Sequence, residues 1–121
     1  MSMRTDFDFI EQWIHPGSRI LDLACGDGTL LKNLQLHKQV EGYGLEIDQD
    51  NITAAIANGV NVVETDLDSG LSQFPDNSFD AVVMTQALQV MQNPHLVLDE
   101  MLRIGKKCIV TFPNFGNWRA R

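Results

Sequence analysis

The sequence predicts a doubly wound α/β fold, a mostly parallel sheet with helices on both faces. Three observations predict it: strand-length apolar runs recur along the chain, helical periodicities separate them, and the turn Ala24-Cys25-Gly26-Asp27-Gly28 joins the first run to a helix. Runs such as Ala81 to Met84 and Cys108 to Phe112 are nearly continuously apolar, the pattern of strands covered on both faces. Right-handed crossovers between such strands give the expected order 3-2-1-4-5.

Taken in order, Asp6 to Ile14 sets Phe9, Ile10, Trp13 and Ile14 on one side of a helix, and His15-Pro16-Gly17-Ser18 breaks it. Arg19 to Leu23 is the first strand. After the glycine turn, Thr29 to Leu36 carries Leu30, Leu31, Leu34 and Leu36 at helical spacing. Val40 to Ile47 is the second strand, where Gly42 and Gly44 weaken the propensity but permit close approach by a neighbour. Asp48 caps a helix over Gln49 to Ala57, and Asn58-Gly59 ends it. Val60 to Glu64 is the third strand, followed by an acidic loop through Asp66 and Asp68. Pro75-Asp76-Asn77-Ser78 is a turn and Phe79 to Thr85 the fourth strand. Asn93-Pro94 opens a helix that Gly105 stops after Ile104, and Cys108 to Phe112 is the fifth strand, broken by Pro113-Asn114-Phe115-Gly116.

Composition bounds the function. With 121 residues, 44% hydrophobic and 21% charged, the chain reads as one domain with a single core. No apolar run approaches the length that spans a bilayer, and the acidic N-terminus lacks the apolar stretch of a signal peptide, so a cytoplasmic location and no membrane partner are expected. Cys25 and Cys108 have no metal-ligand spacing, and neither a disulfide nor a metal site is expected. A net charge of −7 argues against nucleic acid and for a small molecule or a protein as partner.

Ligands of such folds bind beyond the carboxyl ends of the strands. Asp22 stands in the first strand, Glu46 and Asp48 after the second, Asp66 after the third, Thr85 and Gln86 after the fourth. A carboxylate just before the first turn would oppose a dinucleotide's pyrophosphate. From Gly26 the pattern GxGxxG also fails, because Leu31 stands at the third glycine. S-adenosylmethionine fits better: it has no phosphate, a cationic sulfonium and ammonium, and ribose hydroxyls that donate to a carboxylate. Asp22 then holds the ammonium, directly or through water. Glu46, some 20 residues past the turn, takes both ribose hydroxyls, and Asp66 accepts from the adenine amino group. The candidate cofactor-binding set is Asp22, Ala24, Cys25, Gly26, Glu46, Ile47, Asp66, Leu67 and Thr85.

These are also the residues that carry a resemblance. Leu21-Asp22-Leu23-Ala24-Cys25-Gly26-Asp27-Gly28-Thr29 resembles the first motif of class I methyltransferases, with Ala24 where glycine is usual. Together with Gly44-Leu45-Glu46-Ile47-Asp48 and Phe112-Pro113-Asn114-Phe115-Gly116-Asn117-Trp118-Arg119, it resembles the MetW family over nearly the whole chain. The resemblance implies a Rossmann-like methyltransferase fold, S-adenosylmethionine or S-adenosylhomocysteine as cofactor, and an association with homoserine O-acyltransferase in methionine biosynthesis. After the fourth strand, Met84-Thr85-Gln86-Ala87 lacks the Asn/Asp-Pro-Pro-aromatic cluster that resembles amino-group methylases. A complete class I methyltransferase continues with a further helix and two strands, whereas the sequence ends at Arg121. The expectation is a truncated single domain whose apolar fifth strand is an open edge, inviting a homodimer through that edge.

Plainer readings stand beside these. Asp22 caps a turn or binds a ligand. Cys25 is a packing residue before it is a nucleophile, and His15, His37 and His95 read as surface or capping groups. Met84, Met91 and Met101 read as core. Phe112, Phe115 and Trp118 either line an acceptor pocket or form an apolar patch covered by a partner or by missing chain, and Arg4 either reaches the cofactor carboxylate or is solvated. Three functions follow: a methyltransferase, a non-catalytic regulator of the acyltransferase, or a nucleotide-dependent oxidoreductase.

Overall fold

The computed structural model describes residues 3–85, 91–112 and 116–120, apart from the side chains of 3–6, 112 and 116–120. Four helices, α1 (Met3–Trp13), α2 (Thr29–Lys38), α3 (Gln49–Ala57) and α4 (Pro94–Ile104), alternate with strands β1 (Arg19–Leu23), β2 (Glu41–Glu46), β3 (Asn61–Glu64), β4 (Ala81–Thr85) and β5 (Cys108–Phe112). A sixth strand, β6 (Gly116–Ala120), follows, and the sheet order is β3-β2-β1-β4-β5-β6. The first five strands are parallel in the expected order 3-2-1-4-5.

Period-two alternation sorts the side chains to the two faces. Ile20, Val83 and Ile109 pack with Ile10, Ile14, Leu30, Leu31 and Leu34 from α1 and α2, all at most 3% exposed. Leu21, Leu23, Val82, Met84 and Val110 point the other way, onto Val97, Met101 and Ile104 of α4. Each such side chain, fully buried, contributes about 1.5–3 kcal/mol. The backbone punctuation matches the sequence: Asp48 Oδ2 accepts the Asn51 N–H at 2.9 Å, Pro94 opens α4, and Gly105 closes it.

The crossover from β3 to β4 carries no α-helix, only a 3-10 turn at Leu67–Ser69. Arg103 of α4 staples it: Nη1 donates to the Phe74 carbonyl (2.7 Å) and to Asp76 (2.9 Å), Nη2 to the Leu71 carbonyl (3.0 Å) and Nε to Glu100 (2.5 Å).

One expectation is corrected. The fifth strand is not an edge: β6 pairs antiparallel with it from Phe112↔Gly116 to Cys108↔Ala120. The backbone groups of β5 that would have recruited a second copy are therefore taken within the chain. The premise for a homodimer through β5 is thereby removed. Both cysteines are buried.

Candidate functional site

The site begins at the turn that ends β1. Ala24 (φ 60°), Gly26 (φ 60°) and Gly28 (φ 82°) all adopt left-handed backbone, which swings the chain from the strand into α2. Gly28 has a second constraint, since a Cβ there would stand 2.9 Å from a Val60 methyl. Cys25 fastens the turn to β2 through its N–H on the Leu45 carbonyl (2.9 Å), and its own carbonyl accepts from Gly28 (3.1 Å). Asp27 accepts from Thr29 Oγ1 (2.6 Å) and Thr29 N–H (3.0 Å), and these bonds lower its pKa.

Glu46, at the end of β2, is 9% exposed. Its Oε1 accepts the Gly26 N–H at 2.8 Å, and its Oε2 accepts the N–H groups of Ile47 (3.1 Å) and Asp48 (3.0 Å). The acid therefore holds the glycine turn in place. With about four lone-pair positions on a carboxylate, one remains for a ligand, so the expectation of two ribose contacts at Glu46 is reduced to one in this arrangement.

Next to this acid lies a cavity of about 220 Å³, lined by Ala24, Leu45, Glu46, Ile47, Thr65, Asp66, Leu67, Asp68 and Met91. Among the described lining residues three are carboxylates and none is basic. Ile47, 56% exposed, joins Leu67 and Met91 as apolar surface suited to a flat ring. Asp66 Oδ1 accepts the Asp68 N–H (3.0 Å), while Oδ2 has no hydrogen bond among the described residues. A larger cavity, about 400 Å³, opens at the other end of the sheet beside Trp13, Asp80, Lys106 and Lys107. It borders none of the candidate residues, and parallel sheets of this kind bind at their carboxyl ends.

Asp22 sits behind the turn, 1% exposed, paired in register with Gly44 of β2 and Val83 of β4. Its Oδ1 has no hydrogen-bond partner among the described residues. Burial first, and the nearby Glu46 charge second, raise its carboxyl well above the usual range. A buried carboxyl left unpaired is costly, and a cation presented to it would relieve that cost. At Cys25 burial, then the Asp22 and Glu46 charges, push the thiol up to about 12, which disfavours the thiolate. Its Sγ fills the space that Gly44 leaves, where a Cβ would lie 2.5 Å away.

Of the sequence-derived set, Ala24, Glu46, Ile47, Asp66 and Leu67 meet in the cavity. Gly26 touches it through Glu46, while Asp22 and Cys25 lie underneath. Thr85 ends β4, half-buried, one step beyond the Leu23↔Met84 pair. Gln86, Phe115 and the side chains of Arg4, Phe112 and Trp118 fall outside the described residues. His37 pairs with Glu11 at 3.0 Å on the surface, and no histidine lines the cavity. Sequence reasoning missed Leu45, Thr65, Asp68 and Met91 as lining residues. Asp68 was visible in the acidic loop, but Met91 reads as core and is only partly buried.

The donors and acceptors fit a positively charged nucleoside, and the topology is that of the Rossmann-like S-adenosylmethionine-dependent methyltransferases. The solved structure of such an enzyme from Archaeoglobus fulgidus superposes with a TM-score of 0.78 at 22% identity, over 94% of this chain and 54% of that one. The family described as methionine biosynthesis protein MetW matches residues 4–121, and the chain belongs to that family. The bifunctional methionine biosynthesis protein MetXA/MetW of Rhodopirellula baltica is 36% identical across the whole chain, which covers 21% of that protein. A demethylmenaquinone methyltransferase of Renibacterium salmoninarum is 30% identical over 87% of the chain and 46% of its own length. The chain thus spans less than half of these relatives.

Proposed function

We propose that this chain binds S-adenosylmethionine or S-adenosylhomocysteine and acts as a cytoplasmic methyltransferase of methionine biosynthesis. One observation carries the reading: among the described residues, the cavity at the carboxyl ends of the strands is lined by three carboxylates and no base. A cationic sulfonium nucleoside suits that field and a pyrophosphate does not. Glu46 accepts from the ribose, Asp66 Oδ2 from the adenine amino group, and Ile47 and Leu67 flank the base. Asp22 receives the ammonium, directly or through water, and the backbone of Ala24, Cys25 and Gly26, with Thr85, runs beside the methionine portion. The bound cofactor supplies an electrophilic methyl group for displacement by a nucleophile. The chain's residues supply position rather than acid–base chemistry.

Calorimetry tests this. S-adenosylhomocysteine should bind and NADH should not, and Glu46→Ala should weaken binding by about 1.5–3 kcal/mol, the worth of a hydrogen bond to a charged group. Tight NADH binding, or an unchanged affinity in the variant, would overturn the assignment.

A second reading is favoured by the Rhodopirellula baltica relative, in which MetXA and MetW are named as one bifunctional protein. In that reading the chain is a non-catalytic partner of homoserine O-acyltransferase and binds the cofactor as a signal. Labelled methyl transfer to a cellular acceptor supports the enzyme. A rise in acyltransferase activity on adding a protein unable to transfer methyl supports the regulator.

A further inference from the structure

The loop after β3 is built to aim one side chain across the cavity. Asp66 Oδ1 accepts the Asp68 N–H (3.0 Å) and the Asp66 carbonyl accepts the Ser69 N–H (3.0 Å), closing a tight turn. The Asp68 carboxylate then reaches the segment before α4: Oδ1 accepts the N–H groups of Gln92 (3.2 Å) and Asn93 (3.1 Å), and Oδ2 shares the Gln92 N–H (3.3 Å). Asn93, at the capping position, makes no side-chain cap, and Asp68 ties the start of the helix down through the amides of Asn93 and the residue before it. The acid also meets the positive end of the helix dipole.

Two further facts place this contact at the ligand. Met91, which lines the 220 Å³ cavity, directly precedes the two amides that Asp68 holds. Asp68 and Leu67 also line a second cavity of about 170 Å³, together with Asn93, Leu96 and Val97, so the two residues stand where the cavities adjoin.

We propose that Asp68 is a positioning residue for the cofactor: by holding Gln92 and Asn93 it fixes Met91 as a wall of the cavity and separates that cavity from the one beside it. The inference rests on the reading that the cavity holds the adenosyl cofactor. Asp68 itself need not touch the ligand. Its carboxylate sets how closely the loop after β3 and the start of α4 approach each other.

The test compares S-adenosylhomocysteine binding by wild type, Asp68→Ala and Asp68→Asn, with melting temperatures and amide exchange of residues 91–97 measured with and without the ligand. Asp68→Ala should bind about tenfold more weakly, which is about 1.4 kcal/mol. Asp68→Asn keeps an acceptor oxygen for the two amides and should stay within about threefold of wild type. The ligand should slow exchange at 91–97 in wild type and in Asp68→Asn but not in Asp68→Ala. A helix cap with no bearing on the ligand would lower both melting temperatures equally and leave affinity unchanged in Asp68→Ala, and that result overturns the inference alone. Binding by Asp68→Asn as poor as by Asp68→Ala also overturns it. A wild type that does not bind overturns the underlying reading, and the inference with it.

Discussion

Ala24 and Asp22 each accept a local cost at the mouth of the sheet. Ala24 holds φ 60°, a conformation that costs an L-residue about 1–2 kcal/mol and glycine nothing. Allowing for the looser unfolded chain that glycine brings, Ala24→Gly is expected to stabilise the protein by about 0.5–1 kcal/mol, read as a higher thermal midpoint. A lower midpoint would mean that the methyl group packs against something the turn needs. Asp22 makes a prediction in pH. Its carboxyl is raised in the folded state by burial and then by Glu46, so its contribution is most favourable below about pH 3.9, the unfolded value, and is lost as pH rises through the raised one. Asp22→Asn does not titrate, so its melting temperature should gain on wild type as pH rises above the unfolded value, until the raised value is passed, while cofactor affinity falls. A difference flat with pH would show that Asp22 is already paired. At this scale the sequence was legible where charge decides: Asp22, Glu46 and Asp66 stood out as acids at strand ends. The three amides on Glu46 were not legible, because backbone donors leave no mark on residue type.

Among the elements, β2 shows how a weak strand former earns its place. Gly44 leaves room for Cys25 Sγ, and a Cβ at residue 44 would lie 2.5 Å from that sulfur and 3.3 Å from Leu31 Cδ1. Gly44→Ala should therefore destabilise by about 1–3 kcal/mol through overpacking. Adding Cys25→Ala should recover part of the loss, so a double-mutant cycle in urea should show coupling between the two sites, and strict additivity would count against the packing account. The close approach permitted by Gly44 was readable from sequence, as were the cap at Asp48 and the stop at Gly105, since each depends on one residue's local chemistry. The Leu67–Ser69 turn and the Arg103 staple were not. The turn has no apolar periodicity to announce it, and the staple depends on partners some thirty positions away, such as the Leu71 carbonyl that receives Arg103 Nη2.

For the molecule as a whole, β6 decides what the sheet shows to its surroundings. Its hydrogen bonds cover the apolar β5, whose Cys108, Ile109 and Val110 are at most 2% exposed. Deleting residues 114–121 should uncover that strand and give more self-association in light scattering than the intact chain shows. A monomeric deletion variant would show that β5 needs no cover. The overall winding was legible because apolar periodicity fixes it. The returning strand was not, because residues 116–120 lack the apolar alternation that marked the others. Glu46 carries a consequence for any redesign of the molecule. The carboxylate proposed to read the sugar also clasps Gly26, twenty positions back, so two neighbouring βα units share one fastener. An engineer who replaces that acid to admit a phosphorylated nucleoside also unpins the bend beneath it. Ligand preference in this scaffold has to be retooled through both units at once.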